Sequence, residues 1–252
     1  MELGVFVFGT IIGSFLTVCI YRLPREQSIV TPRSACPACG QNIPWYDNVP
    51  VLSFMLLGGR CRKCRSSIPY RYPIVELVNG VGYVAILWRV GWGWPALAYG
   101  VFFSALLIIT WIDWDYLMIP DAITLPGIIL GVLCSLWILP VGFVNSLLGV
   151  IVGGGVLLAM AWISPFLFGK EGLGGGDIKL LAMVGAFLGW QLALATLMIA
   201  SILGALVGVG LIAVSAMKRG QYMPFGPYLA LGALISLLFG PEIMAWYLGV
   251  IQ

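Results

Sequence analysis

From Leu180 to Met217 the chain runs for 38 residues without one charged side chain. Coiled as one helix at about 1.5 Å per residue, that stretch would be about 57 Å long. A hydrocarbon core is about 30 Å thick, so the stretch divides into two membrane crossings, and the break is expected around Trp190 and Gln191. The rest of the composition agrees: 61% of the 252 residues are hydrophobic, 9% are charged, and the mean hydropathy is +1.03. An all-α polytopic membrane protein is the class that follows, and a disordered tail or a water-soluble enzyme is excluded.

A first apolar segment covers residues 3–20. Six more follow it and precede the last, at 73–90, 95–112, 122–139, 143–161, 178–190 and 193–216, and residues 228–248 complete a set of about eight transmembrane helices. The first is read as a retained helix rather than a cleaved signal peptide, because Glu2 stands where a positive region belongs and no small-residue cleavage site precedes Tyr21, Arg22 and Pro24. Eight of the 13 basic residues fall in 17–73, against only Glu26 and Asp47, and the positive-inside rule places that segment in the cytoplasm. The chain thus divides into a first transmembrane helix (1–20), a cytoplasmic metal-binding domain (21–72) and a membrane-embedded catalytic part (73–252). Eight crossings then put both termini outside, with Lys218 and Arg219 inside and Arg89 alone outside.

There is no histidine, which closes the triads, haem sites and zinc hydrolase sites that need imidazole. Chemistry is left to carboxylate, thiol, amine and hydroxyl groups. Cys36 and Cys39 in CPAC, and Cys61 and Cys64 in CRKC, form two CxxC pairs 21 residues apart. Two turns that each offer two thiolates supply the tetrahedral shell of a zinc-ribbon-like site, and four protein ligands leave no open position, so the zinc would be structural. Two disulfides or unpaired thiols are the alternative; a reducing cytoplasm disfavours the disulfides, and a polar segment too small for a large apolar core favours a metal over unpaired thiols. Cys19 and Cys134 lie in apolar helices as packing residues. The basic residues around the cysteines suit anionic membrane lipids, and with no recognition helix in evidence no nucleic acid is expected.

Asp113, Asp115 and Asp121 in TWIDWDYLMIPD, and Asp177 in KEGLGGGDIKLL, all sit beside apolar segments. A carboxylate there is costly unless it faces protein, water or a partner, so these are functional candidates, with interfacial anchoring beside Trp111, Trp114 and Tyr116 as the ordinary alternative. Asp113 ends one segment and Asp177 begins another of opposite direction, so the topology can bring the two to a common depth. Two close aspartates share one proton, which lets one activate water while the other polarises a peptide carbonyl. Gly172, Gly174, Gly175 and Gly176 allow close backbone approach beside Asp177, or form a flexible loop.

The blocks GSFLTVCIYRLP, the paired CxxC motifs, RYPIVELVNG, IDWDYLMIPD, GKEGLGGGDIKLLAMVGAFLG and PFGPYLALG closely resemble the bacterial type IV prepilin peptidase family, which includes type II secretion and competence members. The resemblance covers nearly the whole chain. GxGD alone would be shared with other intramembrane aspartic proteases, whereas the cysteine domain favours the bacterial branch. The resemblance implies an aspartic endopeptidase of the inner membrane that uses Asp113 and Asp177, with Asp115, Asp121, Gly174 and Gly176 supporting the catalytic loop. It implies type IV prepilins or type II secretion pseudopilins as substrates, cut on the cytoplasmic side. It also implies a second activity, methylation of the new amino terminus from S-adenosylmethionine (S-adenosyl-L-methionine), to which Gly59 and Glu76 are related. No glycine fingerprint for that donor is present, and the second activity rests on the resemblance. Two other classes compete. A membrane transporter or nonenzymatic pilus or secretion assembly factor would place its acids centrally among repeated discontinuous helices. A serine–lysine protease would need Ser164 and Lys170, which lie before a glycine-rich break, while Ser14 has no nearby lysine.

Overall fold

A computed structural model describes residues 1–168, 174–214 and 223–251, with side chains omitted at 165–168, 247, 248, 250 and 251. The chain divides into two compact units, Met1–Ala96 and Leu97–Gln252. The first unit holds α1 (Glu2–Arg22), the short α2 (Leu52–Leu56) and α3 (Arg71–Val90). Glu2 in the first turn of α1 and Arg22 in its last complement the helix dipole.

α1 and α3 run antiparallel. At one end the Trp88 indole donates to Glu2 at 2.7 Å, and nearer the middle the Asn79 amide donates to the Gly9 carbonyl at 2.7 Å. Gly9 and Gly13, four residues apart on one face of α1, meet Gly80 and the Glu76 backbone of α3. Lipid gives no hydrophobic drive for two helices to associate, so small residues that let backbones approach, and the hydrogen bonds this permits, hold such a pair. Between the two helices run 3-10 turns at Leu23–Arg25 and Trp45–Asn48, α2, and the two cysteine turns.

The second unit is built from α4 (Trp94–Tyr116), α5 (Asp121–Cys134), α6 (Phe143–Phe168), α7 (Gly175–Leu188), α8 (Trp190–Ala213) and α9 (Gly226–Ile251). α7 is its core, and every residue from Leu180 to Leu188 is buried. α6 crosses α7 with Gly149 against Gly185, which admits the Ser146 hydroxyl to the Ala186 carbonyl at 2.7 Å. On another side of α7, Phe187 stacks on Phe102 of α4 with ring centroids 4.5 Å apart. α9 bends at Phe239, two residues before Pro241, whose ring and missing N–H disrupt the regular helix.

The charge-free stretch breaks at Gly189, one residue before Trp190. Gly189 has φ +85, a conformation open to glycine and strained for residues with a Cβ. The two resulting helices, α7 of 14 residues and α8 of 24, are as unequal as the segments 178–190 and 193–216 expected from the sequence. Among the described residues six helices are long and apolar enough to cross a membrane: α1, α3, α4, α6, α8 and α9. α5 and α7 have 14 residues each, about 21 Å at 1.5 Å per residue, short of a full hydrocarbon core. α5 stops at Cys134 because the chain turns there, with Ser135 and Ile138 N–H groups bonding back to Gly131 and Cys134. Neither is there a ribbon of strands around the cysteines: pairing among the described residues is confined to the isolated bridges Ala35↔Asn42 and Arg60↔Ser67.

Candidate active site

The acidic cluster of α4 separates by helix geometry. Positions i and i+2 point to opposite sides of a helix, and the structure buries Asp113, 5% exposed, while Asp115 is exposed. The carbonyl of Asp113 accepts the Leu117 N–H as α4 ends, and its side-chain Oδ2 accepts the Gly226 N–H at 2.9 Å. Gly226 opens α9, so an otherwise unsatisfied N–H of a helix start is spent on this carboxylate. A Cβ at residue 226 would sit 2.7 Å from that same oxygen.

Asp177 stands in the first turn of α7, half-buried, and its N–H bonds the Gly174 carbonyl at 3.2 Å. It lies within reach of the charge on Asp113. The chain between α4 and α5 brings the two helix ends together: a Cβ at Gly176 would meet the Ile119 side chain at 2.7 Å. Beside that contact Lys179 of α7 pairs with both carboxylate oxygens of Asp121, the first residue of α5, at 2.7 Å. Asp121 is thus an ion-pair partner at the edge of the cluster. Gly172 and Lys170 lie outside the described residues. Neither Gly226 nor Lys179 stands out in the sequence as a site residue. PFGPYLALG contains Gly226, but its part is played by a backbone N–H that no side-chain pattern advertises.

The four CxxC sulfurs lie within 4.8 Å of one another. None of them is in a disulfide. Cys36 Sγ and Cys64 Sγ are 3.8 Å apart, which equals the edge of about 3.8 Å that a tetrahedron of thiolates has at a zinc–sulfur distance of about 2.3 Å. The donor set therefore fits a metal of that preference. The two turns are built alike: Cys36 N–H bonds the Gln41 carbonyl and Gly40 N–H the Cys36 carbonyl, just as Cys61 N–H bonds Ser66 and Arg65 N–H bonds Cys61. This likeness is written in the sequence as a repeated CxxCxxxIP, at Cys36–Pro44 and Cys61–Pro69, a signal that CxxC spacing alone does not reveal. N–H groups of Cys39 and Ala38 aimed at the sulfur, then the Ser66 hydroxyl, hold the Cys36 thiol down at about 6, against the opposing effect of burial. The Ser66 hydroxyl likewise lowers Cys64.

Gly59 and Glu76 occupy structural positions in this region. Gly59 has φ +66 and closes α2, its N–H bonding the Phe54 carbonyl at 2.8 Å and its carbonyl accepting the Ile68 N–H at 2.7 Å. A Cβ there would meet the Phe54 ring at 3.0 Å. Glu76, buried on α3, accepts the Val51 N–H at 2.7 Å, and its backbone packs against Gly13 of α1.

Two family models match the chain: the bacterial peptidase A24 N-terminal domain over residues 7–90, and the type IV leader peptidase family over residues 100–209. A protein of Aeromonas hydrophila named prepilin leader peptidase/N-methyltransferase is 39% identical, with 97% of this chain and 92% of that protein covered. Proteins of the same name from Pseudomonas putida and Pseudomonas aeruginosa are 40% and 36% identical, covering 95% and 96% of this chain and 91% of each relative. No solved structure matches the chain. With relatives this similar along almost its entire length, the chain belongs to the type IV leader peptidase family.

Proposed function

We propose that the chain cleaves the leader from type IV prepilins or type II secretion pseudopilins, with Asp113 and Asp177 as the catalytic pair. The observation that carries this reading is the burial of Asp113, alone among the aspartates of its motif, with its charge within reach of Asp177. In a chain without histidine, such a pair is the available route to peptide hydrolysis. The pair holds one proton. Its ionised member takes a proton from water as the water oxygen attacks the scissile carbonyl, while the protonated member donates to the carbonyl oxygen. Collapse of the tetrahedral intermediate breaks the C–N bond: one of its hydroxyls returns a proton to the ionised member as C=O re-forms, the leaving amine takes up the proton of the other member, and the pair is left again with one proton. Gly226 and the Asp121–Lys179 ion pair act as positioning residues, and Gly174 and Gly176 let the start of α7 lie close to its neighbours. The test is leader removal by the purified chain, lost in Asp113→Asn and in Asp177→Asn while membrane insertion persists.

Zinc is the metal we assign to Cys36, Cys39, Cys61 and Cys64, where it would cross-link two turns too short to form a core of their own. The second activity in the relatives' names, N-methyl transfer, extends to this chain as methylation of the new amino terminus, and S-adenosylmethionine supplies the methyl group when bound. Gly59 and Glu76 contribute to that activity through the fold, by closing α2 and by tying Val51 to α1 and α3. We further assign eight crossings, with α5 and α7 as short ones, both termini outside and the carboxylates and cysteines at the cytoplasmic face of the inner membrane; the concentration of basic residues in 17–73 supports this orientation. A reporter fused after Gly220 reads as internal on this topology.

A further inference from the structure

α2 presents its side chains in the reverse of the order that water favours. Leu52, Met55 and Leu56, at positions i, i+3 and i+4 of one helix face, are 59%, 70% and 86% exposed. The inward position belongs instead to Ser53, 7% exposed, whose hydroxyl donates to the Tyr46 carbonyl at 3.0 Å and accepts the Val49 N–H at 3.1 Å. That serine ties α2 to the preceding 3-10 turn, where Trp45 is 82% exposed. An apolar stripe outward and a serine inward is the amphipathic pattern inverted.

The depth of this helix in the first unit follows from its anchor. α3 has 20 residues, about 30 Å at 1.5 Å per residue, so a membrane crossing by α3 uses its full length. Glu76 lies five residues inside its start, about 7.5 Å along the axis. The Glu76 carboxylate accepts the N–H of Val51, the residue before α2, and the Glu76 backbone lies against Gly13, nine residues before the end of α1. A glutamate reaching toward its helix start gains a few ångströms, so the junction stands level with the outer turns of both helices. Val51 is held there with φ +62, a conformation disfavoured for a β-branched residue and sustained only by surrounding contacts. Just beyond α2, Arg60, Lys63 and Arg65 are exposed on and beside the second cysteine turn.

We propose that α2 is an interfacial anchor whose occupant is the lipid bilayer: Leu52, Met55 and Leu56, with Trp45, enter the boundary between headgroups and acyl chains beside α1 and α3. Arg60, Lys63 and Arg65 meet anionic headgroups, and the cysteine centre is held against the membrane surface. The anchor requires α1 and α3 to cross the membrane and is independent of the peptidase reading. To test it, a photoreactive benzoylphenylalanine is placed at Met55, at Leu56 or, as a reference, at the exposed Gln41, in the full chain held in nanodiscs of phosphatidylethanolamine and phosphatidylglycerol without substrate. Mass spectrometry of the irradiated protein should find acyl-chain adducts from Met55 and from Leu56 in several-fold excess over Gln41. Failure of that excess at Met55 or at Leu56, or adducts to a second protein chain in place of lipid, overturns the proposal.

Discussion

Asp113 shows how a single residue's environment depends on distant sequence. Its helix position separates it from Asp115, and that much is legible in the spacing of IDWD. Its burial is completed by Gly226, more than a hundred residues later, whose N–H it accepts and whose missing Cβ leaves room for its carboxylate. We predict that Gly226→Ala slows leader cleavage by about 100-fold, the scale expected when a reacting group is displaced by about 1 Å. Initial rates on a prepilin peptide measure this, with the thermal unfolding midpoint in detergent as a control for folding. Lys179 and Asp121 make a more exposed pair, worth no more than about 1 kcal/mol to stability. Lys179→Ala should therefore leave the unfolding midpoint nearly unchanged but lower kcat, and the exchanged pair Asp121→Lys with Lys179→Asp should recover part of it. An unchanged kcat in Lys179→Ala would remove the pair from any positioning role.

At the scale of elements, length was the most readable property and curtailment the least. The division of 180–217 follows from 38 uncharged residues being too long for one crossing. The site of division was fixed by Gly189, whose φ of +85 suits glycine and which stands one residue before Trp190. That α5, expected over 122–139, reaches only 14 residues was not legible, whereas the shortness of α7 was already in the segment 178–190. Hydropathy continues past Cys134 into Leu136, Trp137 and Ile138, where the backbone turns back on itself. The glycine contacts that let α6 cross α7 also become visible only once the helices are paired, since glycine runs are common in membrane helices. Gly185→Leu should lower the unfolding midpoint in detergent, because the added side chain meets the α6 backbone at Gly149. The cysteine turns were readable as ligands from their CxxC spacing, while a ribbon of strands was not to be found around them. If they hold zinc, the purified chain carries about one equivalent by elemental analysis, and Cys61→Ser loses it together with the order of both turns. Zinc content unchanged in Cys61→Ser would contradict the four-sulfur assignment.

On the scale of the whole molecule, a chain without histidine has only ten acidic residues, and the fold buries one of them, Asp113, within reach of another, Asp177. Such a pair works with one proton between its members. Below the lower apparent pKa both carboxyls are protonated and no base remains, and above the upper one both are ionised and no acid remains, so the rate against pH is bell-shaped. Initial rates in nanodiscs across the pH range would show this, and a rate that only rises with pH would speak against a shared proton. Purified wild type, Asp113→Asn and Asp177→Asn, reconstituted in nanodiscs and given the same prepilin, should differ in one respect: the wild type releases the leader and neither variant does, although all three insert and unfold alike. Leader release by either variant at the wild-type rate would contradict the account.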